Sequence, residues 1–266
     1  MRKFLTIALC LGPLSGCVQP VGPQSQLTAN LSYVRAGNIG FANSGLLPAG
    51  YLYLWDTDDN SLRLLSKTIP LSPKDIAAAP ATIVSSGVTG VTVDGSFGGT
   101  GVTKTAISAA VGQKIEFRAE NAVRQDYNPT TITALVSAYR DGQAQGEDLY
   151  GQWFVAEATR PKSHLFYVII DSIVLAEKTR IAQTGVKGDN DVASVSVSVP
   201  GLTKPVVVAI QNGAFAECFG KDKATGCFFS VQVYKPYLSG PDKLLNFRAA
   251  SNPKPEGLVQ AFRNKL

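Results

Sequence analysis

Histidine and methionine are almost missing: the 266 residues hold one of each, His164 and Met1. With a single imidazole, a Ser-His-Asp machine would have to use His164 as its base. No Gly-x-Ser-x-Gly elbow accompanies it, and it stands immediately before a strongly apolar run. Charge is also sparse, at 17% Asp, Glu, Lys and Arg. No basic run exceeds two or three residues, which argues against nucleic acid as a partner. Long hydrophobic runs are absent too. The longest internal one, Leu165–Ala176, is too short for a membrane helix and is interrupted by Asp171. Gly98-Gly99-Thr100-Gly101 lacks the lysine of a phosphate loop and does not open a helix. Glu116, Glu120, Glu147, Glu157 and Glu177 show no local pairing suited to sugar hydrolysis. These absences leave no visible catalytic constellation and no cofactor, so the expectation is a protein that is not an enzyme.

What is present begins at the N-terminus. Arg2 and Lys3 precede the apolar run Phe4–Leu11, and Leu14-Ser15-Gly16-Cys17 follows. This is the layout of a secretory signal peptide. The Leu-Ser-Gly-Cys ending resembles the lipobox of bacterial lipoproteins. The resemblance implies cleavage after Gly16, so that residues 1–16 are lost. It also implies lipidation of Cys17, whose acyl chains hold the protein on a membrane; two or more chains anchor stably. Val18 stands where an aspartate would favour inner-membrane retention in enterobacteria, so the outer membrane is the expected location. Loss of Arg2 and Lys3 lowers the formal charge from +5 to +3.

Four cysteines then reduce to two. Cys10 leaves with the signal and Cys17 carries lipid, which leaves Cys218 and Cys227 in an oxidising compartment. A disulfide closing a hairpin loop is expected between them. A metal pair is the alternative, but ligands are missing nearby.

Along the chain, residues 17–30 read as the lipidated cysteine and a flexible tether with Pro20 and Pro23. Residues 31–250 read as a single β-rich domain, and 251–266 as a C-terminal tail, basic and amphipathic or frayed. The fold class expected is α+β, with mostly antiparallel sheet and two helices inserted around 129–160. Tyr51–Trp55 and Ser61–Lys67 alternate as strands around the turn-rich Asp56-Thr57-Asp58-Asp59-Asn60, predicting a hairpin. Asp56, Asp58 and Asn60 match the first three ligand positions of an EF-hand loop. Ser61 then stands where glycine is needed and Lys67 where the bidentate glutamate is needed, so calcium is a weak candidate. Ser72 and Pro73 predict the start of a short helix.

The run 82–110 is built almost wholly of Gly, Ser, Thr, Val and Ala. Val91, Val93 and Phe97 alternate with polar residues, Gly98-Gly99 suggests a tip, and Val102–Ile107 a returning strand. Gly95, Phe97, Gly98 and Gly99 are the expected contacts with a membrane or a partner. Lys114–Arg118 alternates as a further strand. Ile132, Leu135, Val136 and Tyr139 recur at helical spacing, with Asp141-Gly142 as the stop. Leu149, Tyr150, Trp153, Phe154 and Ala158 predict a second helix ended by Pro161, its aromatics forming a core seam. Leu165–Ala176 predicts the central strand, covered on both faces. Ser194–Val199 alternates strictly, and Val206–Ile210 and Phe228–Tyr234 complete the strands, with order weakening after Pro236.

The order of a small-residue hairpin at Gly95–Gly101, then helices, then the strand Phe166-Tyr167-Val168-Ile169-Ile170 is loosely similar to gasdermin and MACPF pore formers. Two functions follow as expectations. One is a lipid-anchored, non-catalytic binding or assembly module with a protein partner in the envelope. The other is a membrane-perforating protein that uses the hairpin near 82–110.

Overall fold

A computed structural model describes residues 27–43, 47–67, 69–71, 80–96, 101–127, 131–187, 190–211, 225–250 and 255–265. Strands in chain order are β1 (Leu27–Asn30), β2 (Arg35–Ala36), β3 (Gly40–Ala42), β4 (Leu52–Asp56), β5 (Ser61–Ser66), β6 (Ala81–Ser86), β7 (Val88–Thr89) and β8 (Thr92–Asp94). They continue as β9 (Ile115–Asp126), β10 (Leu165–Ala176), β11 (Lys178–Gln183), β12 (Ser194–Val197), β13 (Val206–Gln211), β14 (Thr225–Ser239) and β15 (Leu244–Ala249). The helices are α1 (Lys104–Lys114), α2 (Thr131–Ala144), α3 (Leu149–Gln152), α4 (Val155–Ala158) and α5 (Pro255–Lys265). The class is α+β and β-rich.

Two sheets carry the fold. The smaller has the order β12-β13-β1-β8; the larger has eleven strands on a path β11-β9-β10-β14-β3-β2-β7, with β15, β4, β5 and β6 off that path. Every pairing is antiparallel except β1 with β13.

The apolar run Leu165–Ala176 becomes the central strand, as its composition requires. On one side β10 pairs with β14 for most of its length. On the other it pairs with β4 from Leu165 to Ile169, then with β9 from Ser172 to Leu175. Both faces are covered. Tyr167 and Ile169 pack under α2–α4 with Leu135, Tyr139 and Trp153. Val168 and Ile170 face the opposite way, onto Trp55, Phe229 and Phe262. The Tyr167 hydroxyl donates to the Trp153 carbonyl at 2.6 Å, which satisfies a fully buried phenol. A third cluster joins the small sheet to α1 and β9 through Ile107, Val111, Phe117 and Val208.

Several expectations need correction. The tether expected over 17–30 is corrected at its end: Leu27–Asn30 is an interior strand, with Leu27 and Ala29 buried, and residues 17–26 lie outside the described residues. So short a segment gave little hint of it, because only two of its four side chains are hydrophobic. The C-terminal tail expected at 251–266 is corrected over its described part, Pro255–Lys265, which is a docked helix: α5 buries Leu258, Val259, Ala261 and Phe262. Order also persists past Pro236, since β14 continues to Ser239 and pairs with β15. Pro236 is tolerated there opposite Phe247 in the ladder.

In place of the returning strand expected at Val102–Ile107 a helix starts at Lys104, so the glycine-rich run ending at Gly101 is followed by a helix after all. Thr103 caps α1, its side-chain oxygen accepting from Ala106 N at 3.2 Å. Ile107 and Val111 then fall on one face at i, i+4, and both are fully buried. Gly112 completes that face: a Cβ there would lie 2.1 Å from the Val88 carbonyl oxygen. Helical burial of this face outweighs the weak local preference for strand. In the inserted helices, α2 passes through Asp141-Gly142 to Ala144, because Gly142 is packed against Leu149 rather than ending the helix. The second helix splits into α3 and α4 at Phe154, whose φ of +56° breaks the spiral. Leu149 and Trp153 do form the expected seam, while Tyr150 is exposed. The helix expected from Ser72 falls outside the described residues.

Candidate binding cleft

The interruption in the central strand is the candidate site. Asp171 sits where β10 exchanges β4 for β9, and where its register with β14 shifts between Ile170 and Ser172. Bulges of this kind re-aim side chains and open a sheet locally. Here they open two adjoining cavities of about 340 and 380 Å3, with Asp126, Asp171, Ser172 and Gln232 in the walls of both. Arg35 and Arg124 line one of them; Tyr127, Thr131 and Tyr234 line the other.

The polar groups are mutually held. Ser172 Oγ donates to Asp126 Oδ1 at 2.7 Å. Tyr127 N donates to the Asp171 carbonyl at 3.0 Å, which fixes the end of β9 against the bulge. Arg124 lies 3.7 Å from Asp126 and also donates to the Asn38 carbonyl. Burial pushes the Asp171 carboxyl up from 3.8 to about 6. A hydrogen bond from Gln232 opposes that rise, Asp126 adds to it by charge repulsion, and Arg124 opposes it. The Tyr234 phenol is raised as well, first by burial and then by Asp171.

The exposed Asp126 and the half-buried Asp171 offer carboxylate oxygens to an ammonium group or a row of hydroxyls, and the arginines at one end add a place for negative charge. Ser172 is no nucleophile of a triad. The only histidine, His164, stands at the start of β10, eight residues away, or roughly 26 Å at the rise of an extended strand.

Because Asp171 is harder to ionise in the folded state, the folded chain binds protons more readily than the unfolded chain between pH ~4 and ~6. Stability therefore falls as pH rises through that window. Asp171→Asn is expected to remove this dependence and to raise stability at pH 7.5 by on the order of 2 kcal/mol. Urea unfolding at pH 4.5 and 7.5 checks it; an equal wild-type stability at both values would count against a desolvated Asp171.

The residues singled out in the sequence fall elsewhere. Cys17, Cys218, Phe97, Gly98 and Gly99 lie outside the described residues. Gly95 is an exposed bend with φ of +110°. Cys227 is buried in β14. The expected calcium set is regrouped: Asp56 and Asp58 converge on His164. Asn60 turns instead towards Gly257 of α5, and its Oδ1 would lie 2.8 Å from a Cβ there.

No family model matches this chain, and no curated protein matches it. Among solved structures, a bacterial gasdermin from Bradyrhizobium tropiciagri aligns over 77% of this chain and 83% of its own, at 9% identity and a TM-score of 0.27. A score that low gives the likeness no weight in assigning a function. No enzyme family is indicated.

Proposed function

We propose that this protein is a lipid-anchored lipoprotein of the bacterial outer membrane that serves as a non-catalytic binding or assembly module, and that its partner is recognised at the Asp126–Asp171 cleft. The observation that carries the reading is the cleft itself: two carboxylates, one of them desolvated, exposed by a break in pairing at the middle of the central strand. The anchor is Cys17. Nine residues separate it from β1, which limits the stand-off from the membrane to about 30 Å at full extension. In the oxidising envelope Cys218 and Cys227 form a disulfide.

Capture from detergent-solubilised envelopes tests this with wild type, Cys17→Ala and the pair Asp126→Ala with Asp171→Asn. Cys17→Ala should leave the membrane fraction for the soluble one. A partner held by wild type and by Cys17→Ala, but lost from the double variant, supports recognition at the cleft. Capture that is identical in all three would overturn the cleft's role. The other reading, membrane perforation through the 82–110 region, takes support from α1, a helix whose small-residue sequence reads as strand. Dye release from liposomes by the same preparations would favour that reading.

A further inference from the structure

We propose that Asp56, Asp58 and His164 form a binding site for a borderline divalent cation, with Zn2+ as the best fit, at the end of the sheet remote from the cleft. Their ligand atoms lie within 4.8 Å of one another. His164 Nε2 is 3.4 Å from Asp56 Oδ2, and Nδ1 is 3.1 Å from Asp58 Oδ2.

Both ring nitrogens therefore face carboxylate oxygens. A neutral imidazole carries one N–H, so its other nitrogen presents a lone pair to an acceptor. That arrangement calls for a positive charge between ring and carboxylate. A metal ion bound at Nε2, beside Asp56, supplies it at Zn–N and Zn–O distances of about 2.0–2.2 Å, and the exposed Asp58 side chain swings from Nδ1 to the same ion to complete the site.

The three side chains come from segments that the fold locks together. Asp56 ends β4 opposite Leu165 in the ladder with β10. Thr57 N and Oγ1 both donate to the His164 carbonyl, at 3.2 and 3.0 Å. Asp58 N occupies Asp56 Oδ1 at 2.9 Å, which leaves Oδ2 to face the ring. The cations around the neighbouring depression are engaged elsewhere or set on its rim. Arg63 lies over the Phe154 ring at 4.5 Å, Arg160 pairs with Glu157 at 4.0 Å, and Lys162 lines the wall. Three protein ligands leave the remaining positions to water, as in open zinc sites. Bound metal would clasp the β4–β5 turn to the start of β10.

Calorimetric titration of the full chain in detergent, made without a histidine tag, tests the site with ZnCl2 and with MgCl2 as control. One Zn2+ per chain is expected, with binding at least about tenfold weaker in both His164→Ala and Asp58→Asn. Both variants keep the backbone contacts, so folding is retained. Because the chain has a single histidine, 15N labelling of its ring gives a direct readout that zinc held by cysteine would not move. Absence of binding at millimolar Zn2+, unchanged affinity in both variants, or ring resonances unmoved by zinc would overturn the proposal.

Discussion

Phe262→Ala should lower the stability of the full chain by about 3–5 kcal/mol, the usual loss when a buried aromatic is cut to a methyl group. Phe262 is fully buried, and its ring meets those of Phe229 at 5.0 Å, Phe41 at 5.6 Å and Tyr53 at 6.1 Å. Those three rings sit on β14, β3 and β4, so one side chain of the last helix touches three strands of the large sheet. The surroundings are β-sheet on one side and helix on the other, and little can collapse into the gap. A fall in Tm on the order of 10 °C is expected for a domain of this size. Asn264→Ala, on the exposed side of the same helix, serves as the control and should change little. A Phe262→Ala loss below 1 kcal/mol would mean that α5 is not docked in solution.

Gly40→Ala should be about as damaging, for a different reason. Gly40 has φ of +102° and ψ of −155°, a region open to glycine and strained for any L side chain. A Cβ there would also lie 2.2 Å from the Phe229 carbonyl oxygen, a backbone atom that cannot step aside without moving β14. Strain alone is worth about 1–3 kcal/mol, and the clash adds to it, so a total of about 3 kcal/mol or more, or failure to fold, is expected. Gly87→Ala isolates the two terms. It has φ of +76° but nothing within 4 Å of the new methyl group, so it should show the strain without the clash. Equal unfolding free energies for the two variants would contradict the close approach of β3 to β14.

The large sheet was legible because its strands carry strong signals. Leu165–Ala176 is apolar on both faces and could only be central, and the aspartates of 56–60 marked the β4–β5 turn. The errors fall where local sequence is weak and long-range contact decides. Leu27–Asn30 is ordered by two partners, one of them almost two hundred residues away. The segment Lys104–Lys114 has no strong preference, and a cap plus two buried side chains made it a helix. The cleft was half visible. Asp171 stood out as a charge in an apolar run, yet a run of residues cannot show that two neighbouring strands part company at that point. The approach of His164 to Asp56 and Asp58 was hidden for the same reason, since 107 residues separate Thr57 from the carbonyl that holds it.

The position of β1 has a mechanical side. This strand, the first of the described residues, lies not at an edge but between β13 and β8 of the small sheet, with Leu27, Ala29 and Leu31 fully enclosed. A pull on the N-terminal side of β1 would be applied along an interior strand. It loads two hydrogen-bonded ladders together, one parallel and one antiparallel, so the bonds must shear rather than peel open one by one. A fold entered this way can be pulled on from its N-terminus and still hold its shape.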